Sequence, residues 1–299
     1  MPQQFWDKFW FTAADPKPLG FVRIGWSLLT IAYLATWFVD VTIWIGSDGI
    51  LATPRIAELL QSAADEQPIY LRISPLYWMQ SETLLYAYLS LGIALAVIAA
   101  TGLFGRISSL CMWLFVISIV HRAPMLGGLC EPILTMGWGY LTIHSGKEQK
   151  PFRLGLSDST PSLAANIALH LMQIHLYAWI MLSLASQLGG LVWWQGEAVW
   201  WLASESRSPA LSLSWLGRNV YALNALTHSV IIAQCLALFM LWPKAVRKYG
   251  VCALWATCGL LILVSDQLLY PLLLAILGIV FWDVAWVSDP RSNINESRS

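Results

Sequence analysis

The sequence predicts an all-α polytopic integral membrane protein, a helical bundle of about eight spans with interfacial helices on its outer face. Hydrophobic residues make up 58% of the 299 residues, charged residues only 11%, and the mean hydropathy is +0.61. A soluble domain carries about 25% charged residues, so most of this chain is expected to contact lipid. No charged residue lies between Asp158 and Glu197, a longer run than the ~20 residues that a helix needs to cross a bilayer. The net charge of zero gives no attraction for nucleic acid, and we expect no such partner.

Charge-poor runs along the chain predict the individual spans. The runs lie at roughly 21–45, 83–104, 106–121, 125–145, 162–188, 219–242, 249–265 and 267–287. The third and fourth runs are short, so they form either two full crossings or a re-entrant hairpin.

The distribution of basic residues predicts the orientation of the spans. With the amino terminus inside, eight spans leave twelve of the seventeen Lys and Arg residues in cytoplasmic segments. The five residues that fall outside are Arg55, Arg72, Arg122, Arg207 and Arg218. Because cytoplasmic loops carry an excess of Lys and Arg, this asymmetry predicts that both termini are cytoplasmic. The expected location is the cell membrane, with a bacterial inner membrane favoured.

One membrane domain is expected over 1–288, followed by a disordered polar tail over 289–299. Two outside segments have the pattern of interfacial helices. Residues 53–64 begin with a Thr-Pro pair in cap and first-turn positions and continue with helical spacing of apolar residues. Residues 193–203 alternate bulky aromatic residues with polar ones and are expected to lie flat at the membrane surface.

Three ionisable residues near the turn between the third and fourth spans are candidates for function. Ionisable groups at membrane depth cost several kcal/mol unless they are paired or hydrated, so they are functional candidates by default. The residues are His121, Arg122 and Glu131. Two interpretations of Arg122 remain open: a structural ion pair with Glu131, or contact with an anionic or carbonyl-bearing ligand.

The fifth and sixth spans add further polar candidates. His175 lies on the fifth span with Gln173 nearby, and it is either structural or part of a pocket. Asn224 and His228 are four residues apart and share one face of the sixth span, where helix packing or a pocket role would suit them. The Cys and His residues show no spacing typical of metal ligands, so no metal site is predicted.

Four segments resemble, in the same order, the HTTM (horizontally transferred transmembrane) family, which shares its membrane domain with vitamin K-dependent gamma-carboxylase. The segments are DPKPLGFVRIGWSLL (15–29), SDGIL (47–51), HRAPMLGGLCEPIL (121–134) and QIHLYAWIMLSLASQLGGLVWWQGEAVWWLAS (173–204). The resemblance covers nearly the whole chain. It implies a helical membrane bundle whose reactive pocket opens to the non-cytoplasmic side.

The resemblance also shows a departure at the position where the family's chemistry takes place. In the carboxylase a Lys deprotonates reduced vitamin K, and that position falls at or next to Gln187 in this chain. A Gln amide has no useful basicity, so vitamin K-dependent carboxylation is not expected. The predicted pocket residues are Gln187, Trp193, Glu197, Asn224 and His228.

Three functions are compatible with these residues. The first is a membrane protein with an outward-facing pocket for a lipid, quinone or similar amphiphile. If that protein is an enzyme, His121, Glu131 or His175 replaces the Lys as proton carrier. The second is a non-enzymatic lipid- or peptide-binding membrane subunit, such as an export or immunity component with a protein partner. The third is a transporter. The residues predict no specific cofactor, and a quinone or lipid is the one that would suit such a pocket.

Overall fold

The computed structural model describes residues 2–62, 74–79, 81–144, 160–205, 216–265 and 267–282. These residues form helices joined by turns and loops, and the one strand-like pairing among them is an isolated bridge between Ala14 and Ser162. In chain order the α-helices are α1 (Pro2–Phe11), α2 (Lys17–Ile45), α3 (Thr53–Ser62), α4 (Glu82–Thr101), α5 (Arg106–Arg122), α6 (Cys130–His144), α7 (Leu163–Gly189), α8 (Leu191–Trp194), α9 (Ala198–Glu205), α10 (Val220–Met240), α11 (Arg247–Val264) and α12 (Leu269–Gly278). The all-α prediction is confirmed.

Within the described ranges, five helices are long and apolar enough to cross a membrane: α2, α4, α7, α10 and α11. The predicted third and fourth spans are α5, with 17 residues, and α6, with 15 residues. The predicted eighth span is α12, with 10 residues, which a 3-10 turn over Ile279–Phe281 continues. The chain is therefore a multi-pass membrane protein, while the count of eight and the re-entrant alternative stay predictions.

Local sequence signals fix several helix ends. The Ser81 hydroxyl accepts a hydrogen bond from the Leu84 amide and so caps the start of α4. Gly102 ends the same helix with a φ of +78°, a conformation that favours glycine. The side chain of Asn219 caps α10 by accepting from the Ala222 amide at 3.1 Å.

The chain folds as two compact units. Unit 1 contains Met1–Ala14 and Arg23–Ala168, and unit 2 contains Asp15–Val22 and Leu169–Ser299, so that α2 and α7 contribute residues to both. The prediction of a single membrane domain stays a prediction. The predicted polar tail lies outside the described residues.

A buried hydrogen-bond network joins α2 and α6 in unit 1. The Trp26 indole donates to the Leu134 carbonyl at 3.0 Å. The Trp138 indole donates to the Thr30 hydroxyl at 3.0 Å, and that hydroxyl donates to the Trp26 carbonyl at 2.7 Å. Gly137 makes this approach possible, because a side chain there would overlap the Trp26 ring. Unit 1 thus has two tryptophans at its centre whose polar atoms are all used.

In unit 1 the ends of α2, α4, α5 and α6 meet in a fixed pattern. The start of α2 lies against the end of α4, since Arg23 packs on Gly102. The start of α5 lies against the end of α6, since Arg106 donates to the Ile143 carbonyl at 2.9 Å. At the other end, Arg122 of α5 donates to the backbone at the end of α2. The helices α2, α4, α5 and α6 therefore alternate in direction.

In unit 2, α10 packs against α11, α11 packs against α12, and α9 packs on α10. The buried side chains between these helices include Val199, Leu223, Val230 and Val264. Trp193 and Leu260 pack against them. This cluster joins the segment after α7 to the helical pair α10 and α11.

The two predicted interfacial segments form helices. The predicted segment 53–64 contains α3, which spans Thr53–Ser62. The last two residues of the predicted segment, 63 and 64, lie outside the described ranges. The segment 193–203 overlaps α8 and α9, which are separated by a turn at Gly196 with a φ of +76°. That glycine ends the first helix and lets the second one change direction.

An additional helix at the amino end, α1, was not among the predicted elements. Its sequence, PQQFWDKFWF, mixes charges with aromatic residues, and Trp6 and Phe11 are exposed. The Asn166 amide donates to the carbonyls of Phe9 and Trp10 at 2.8 and 3.0 Å. These bonds fix the end of α1 to the start of α7 within unit 1.

Candidate functional site

Arg122 lies at the end of α5 with only 1% of its surface exposed. Its Nη2 atom donates to the Leu51 carbonyl at 2.8 Å and to the Ile45 carbonyl at 3.4 Å. Its guanidinium carbon lies 5.1 Å from the centre of the Tyr77 ring, a cation–π contact. The guanidinium is thus held between the turn that follows α2 and an aromatic face.

Tyr77, which the sequence analysis did not identify, is itself held in place. It belongs to a 3-10 turn over Pro75–Tyr77 that Ser74 caps. The Tyr77 hydroxyl donates to the His121 carbonyl at 3.0 Å, and its own carbonyl accepts from the Thr53 hydroxyl at 3.4 Å. The loop before α4 therefore forms one wall of the Arg122 environment.

The hydrogen-bonding capacity of Arg122 is only partly used. Nε and Nη1 are buried and find no acceptor among the described residues. No ion pair with Glu131 forms, since the one ion pair in the described part of the chain joins Lys17 and Asp15. The predicted ion pair with Glu131 is therefore wrong: the described groups that contact Arg122 are the carbonyls of Ile45 and Leu51 and the ring of Tyr77.

Glu131 stabilises the start of its own helix. Its Oε2 atom accepts from the Gly128 amide at 2.7 Å and from the Cys130 thiol at 3.2 Å. A carboxylate in the first turn also interacts well with the positive end of the helix dipole. Tyr33 of α2 lies close enough to interact with it. These contacts give Glu131 a structural role, even though it is only 8% exposed.

His121 precedes Arg122 on α5 and is partly buried. Its Nδ1 atom is buried and has no hydrogen-bond partner within the described ranges. Successive residues on a helix point about 100° apart, so His121 and Arg122 face different directions. His121 remains a candidate without a contact that defines its role.

His175 and Gln173 lie on the part of α7 that belongs to unit 2. The His175 ring stacks on Trp179, with centroids 6.4 Å apart, and the Trp179 indole donates to the Tyr270 hydroxyl at 2.8 Å. The Gln173 amide donates to the Val280 carbonyl at 2.9 Å. These bonds join α7 to α12 and the turn that follows it.

Gln187 is the residue that the resemblance to the HTTM family predicts at or next to a Lys position. Its amide nitrogen donates to the Ser183 hydroxyl at 3.2 Å. Its carbonyl oxygen is buried and receives no hydrogen bond from the residues that the structure describes. The side chain therefore offers one unused acceptor, and it has no basic group.

The remaining pocket candidates lie around the turn between α8 and α9. The Asn224 amide nitrogen, oriented toward the turn, donates to the carbonyls of Gln195 and Gly196 at 3.0 and 3.1 Å. The Thr227 hydroxyl donates to the Gly196 carbonyl at 2.8 Å and accepts from the Val199 amide at 3.4 Å. Asn224 and Thr227 thus attach the turn to α10.

The other three candidates of this region lie in different environments. Trp193 packs against the core of unit 2, and Glu197 is exposed. His228 places Nδ1 2.7 Å from the Asn224 carbonyl. Because a carbonyl only accepts, Nδ1 carries the proton, and a neutral His228 presents Nε2 as an acceptor.

The candidates fall in the two units. His121, Arg122 and Glu131 belong to unit 1, where the structure adds Tyr77 to Arg122. His175, Gln187, Trp193, Glu197, Asn224 and His228 belong to unit 2. Within the described residues, no group of three His, Cys, Asp or Glu side chains has the arrangement of a metal site.

Comparison with family models, with curated proteins and with solved structures gives no match. The resemblance to the HTTM family accordingly stays a prediction.

Proposed function

We propose that the chain is a multi-pass protein of the cell membrane that binds the polar head of a lipid, quinone or similar amphiphile at an outward-facing site around Arg122. One observation carries this proposal. Arg122 is a buried cation without a carboxylate partner in the described part of the chain, and two of its nitrogen atoms lack acceptors.

The donor count of the guanidinium supports a ligand oxygen at this position. A guanidinium has five N–H donors, of which Nη2 carries two, and both are directed to carbonyls. The three N–H groups on Nε and Nη1 remain. Burying a charge without a partner costs several kcal/mol, and an anionic or carbonyl oxygen would remove most of that cost.

The chemistry of the surroundings restricts the class of ligand. Among the residues that the structure describes, the neighbours of the Arg122 guanidinium are the Tyr77 ring and two backbone carbonyls, and none of these is charged. A phosphate, a carboxylate or a quinone carbonyl supplies the acceptor that it lacks, and the apolar part of such a molecule dissolves in the bilayer. A fully water-soluble anion would gain nothing from the lipid around the helices.

We also propose that the chain crosses the membrane eight times with both termini in the cytoplasm, and that it belongs to the HTTM family. The alternating directions of α2, α4, α5 and α6 in unit 1 support full crossings by the two shorter helices. The excess of Lys and Arg in the segments assigned to the cytoplasm supports the orientation. Under this topology Arg122 lies on the outer side.

Binding, rather than carboxylation, is the proposed activity. The amide of Gln187 cannot serve as a general base. Glu131 and His175 are engaged in contacts that stabilise helices. The proposal therefore includes no proton-transfer step.

The test is the amount of amphiphile that co-purifies with the protein in a mild detergent, measured by mass spectrometry of solvent extracts. We expect Arg122→Gln to lower ligand occupancy, because losing a buried charged contact costs about 2 kcal/mol or more, roughly 30-fold in affinity. Arg55→Gln is the matched control. Arg55 donates to the Gly49 carbonyl of the same loop at 3.3 Å, but it is exposed.

Two results would overturn the proposal. One is wild-type protein that carries no lipid or quinone above the level in the surrounding detergent. The other is folded Arg122→Gln protein with unchanged ligand content, which would show that Arg122 only fixes the loop after α2. Size-exclusion chromatography and thermal melting identify the folded fraction of each variant.

A further inference from the structure

A second group of basic side chains lies around the opposite end of α5, its amino end. The group consists of Arg23 of α2, Arg106 of α5 and His144 of α6, and we call it the Arg23 cluster. All three belong to unit 1. α5 contains 17 residues, and a helix rises about 1.5 Å per residue, so its two ends lie about 24 Å apart. The Arg23 cluster is therefore separate from the site around Arg122.

Close packing brings the three side chains together at the ends of α4 and α6. The Arg23 guanidinium lies on Gly102, where an added Cβ would come within 2.8 Å of Nη2. Arg106 is exposed and donates from Nη2 to the Ile143 carbonyl at 2.9 Å. His144, the last residue of α6, is buried, and both arginines lie within electrostatic range of its ring.

Among the described residues, the positive charge of the cluster exceeds the negative charge around it. In the described ranges the one ion pair is Lys17 with Asp15, so neither arginine of the cluster is paired with a carboxylate there. A helix carboxyl end carries about half a negative charge, so the ends of α4 and α6 offset about one of the two guanidinium charges. Nε and Nη1 of Arg23 are also buried with no acceptor among described residues.

The start of α5 adds further donors at the same place. Gly105 precedes Arg106, and no side chain caps the first turn of the helix, where the Ile107 amide donates to the Phe104 carbonyl. The N–H groups at the start of a helix and its positive dipole favour phosphate oxygens. The cluster therefore combines two guanidinium groups with an uncapped helix start, a set of donors suited to a phosphate.

The surface beside the cluster indicates that this phosphate belongs to a lipid. Leu103 and Ile107 are exposed, and Phe104 is 72% exposed. These apolar side chains flank Arg106 in the sequence, so acyl chains would contact them while the headgroup reaches the arginines. Basic pockets between membrane helices recognise anionic headgroups in this way.

We propose that the Arg23 cluster binds the phosphate of an anionic phospholipid, with Leu103, Phe104 and Ile107 contacting its acyl chains. The proposal goes beyond the amphiphile site at Arg122 and does not depend on it. In a detergent solution with equal amounts of phosphatidylglycerol and phosphatidylcholine, we expect native mass spectrometry of the unmodified protein to show about a tenfold preference for phosphatidylglycerol.

A double variant locates the preference. The double variant Arg23→Gln with Arg106→Gln is expected to bind phosphatidylglycerol and phosphatidylcholine about equally, because both guanidinium charges are lost. Lys8→Gln, which removes one exposed charge on α1 of the same unit, is the control and is expected to keep the preference. Thermal melting shows whether each variant is folded. Both variants are expected to keep the amount of amphiphile that co-purifies at the Arg122 site.

Several outcomes would overturn the proposal. The first is equal retention of the two lipids by unmodified protein, a result that does not depend on the folding of any variant. The second is a folded double variant with undiminished preference. The third separates the source of the phosphate: if inorganic phosphate raises the melting temperature and phosphatidylglycerol does not, the ligand is a free ion.

Discussion

At the scale of single residues, Gly137 determines how closely α6 approaches α2. A Cβ at this position would overlap the indole of Trp26, which is fully buried and bonded to the Leu134 carbonyl. The ring cannot move without breaking that bond. The close contact of the two helices therefore depends on the absence of a side chain here.

Gly137→Ala is expected to destabilise the protein, because overpacking in a well-packed core costs about 1–3 kcal/mol. The measurement is thermal melting in detergent, followed by tryptophan fluorescence. Gly259→Ala is the control, since a Cβ there meets no atom within 4 Å. That variant is expected to be neutral or slightly stabilising. Equal melting temperatures for the two variants would contradict the packing described for Gly137.

Arg122 shows what the sequence can and cannot predict for a residue. An arginine at the end of an apolar run was identifiable as a candidate, because charge at membrane depth is costly. Its neighbours were not identifiable. The carbonyls of Ile45 and Leu51 and the ring of Tyr77 lie far away in the sequence, and no local pattern connects them.

At the scale of elements, a buried hydroxyl contributes to the attachment of α9 to α10. Thr227 is fully buried, donates to the Gly196 carbonyl and accepts from the Val199 amide. Thr227→Val preserves the shape and leaves the Val199 amide without its acceptor, at a cost of about 1–3 kcal/mol. Hydrogen exchange at that amide should become faster.

Thr257→Val is the matched control for that prediction. Thr257 is also buried, but its hydroxyl donates to the Ala253 carbonyl of its own helix at 3.0 Å. Such a bond adds little, because the carbonyl already has a backbone donor. Unchanged exchange in Thr227→Val, or equal acceleration in both variants, would show that the hydroxyl does not hold α9.

Helix positions were more predictable than the contacts of the helices. The five long helices match predicted runs because continuous apolar segments are a strong signal. α1 was missed because its short sequence mixes charges with aromatic residues. The turn at Gly196 was visible only as a break in the pattern. Its attachment by Asn224 depends on α10, a helix that starts only at Val220.

At the scale of the whole molecule, two topologies can be distinguished by experiment. In one all eight proposed spans cross the membrane, and in the other only the five long helices cross. The two topologies place the turn after Arg122 and the chain after α12 on different sides. With eight spans, the turn after Arg122 is outside and the chain after α12 is inside. If only the five long helices cross, both locations are reversed. Alkaline phosphatase and green fluorescent protein fused after Leu126 and after Trp282 distinguish the two, since the first is active only outside and the second fluoresces inside.

We expect phosphatase activity for the fusion after Leu126 and fluorescence for the fusion after Trp282. A fusion after Lys244 is the control, because both topologies place it inside. Phosphatase activity at Trp282 together with fluorescence at Leu126 would rule out crossings by α5, α6 and α12. The orientation of the chain could not be read from helix lengths, since only the distribution of basic residues carries that information.

The arginines at the two ends of α5 have a consequence for the surrounding bilayer. Arg106 and Arg122 are bonded to carbonyls at opposite ends of a helix about 24 Å long, whereas a hydrocarbon core is about 30 Å thick. In the proposed arrangement α5 is too short for an average membrane. Thinning of the lipid beside it costs a fraction of a kcal/mol per Å, so the protein would accumulate where membranes are already thin.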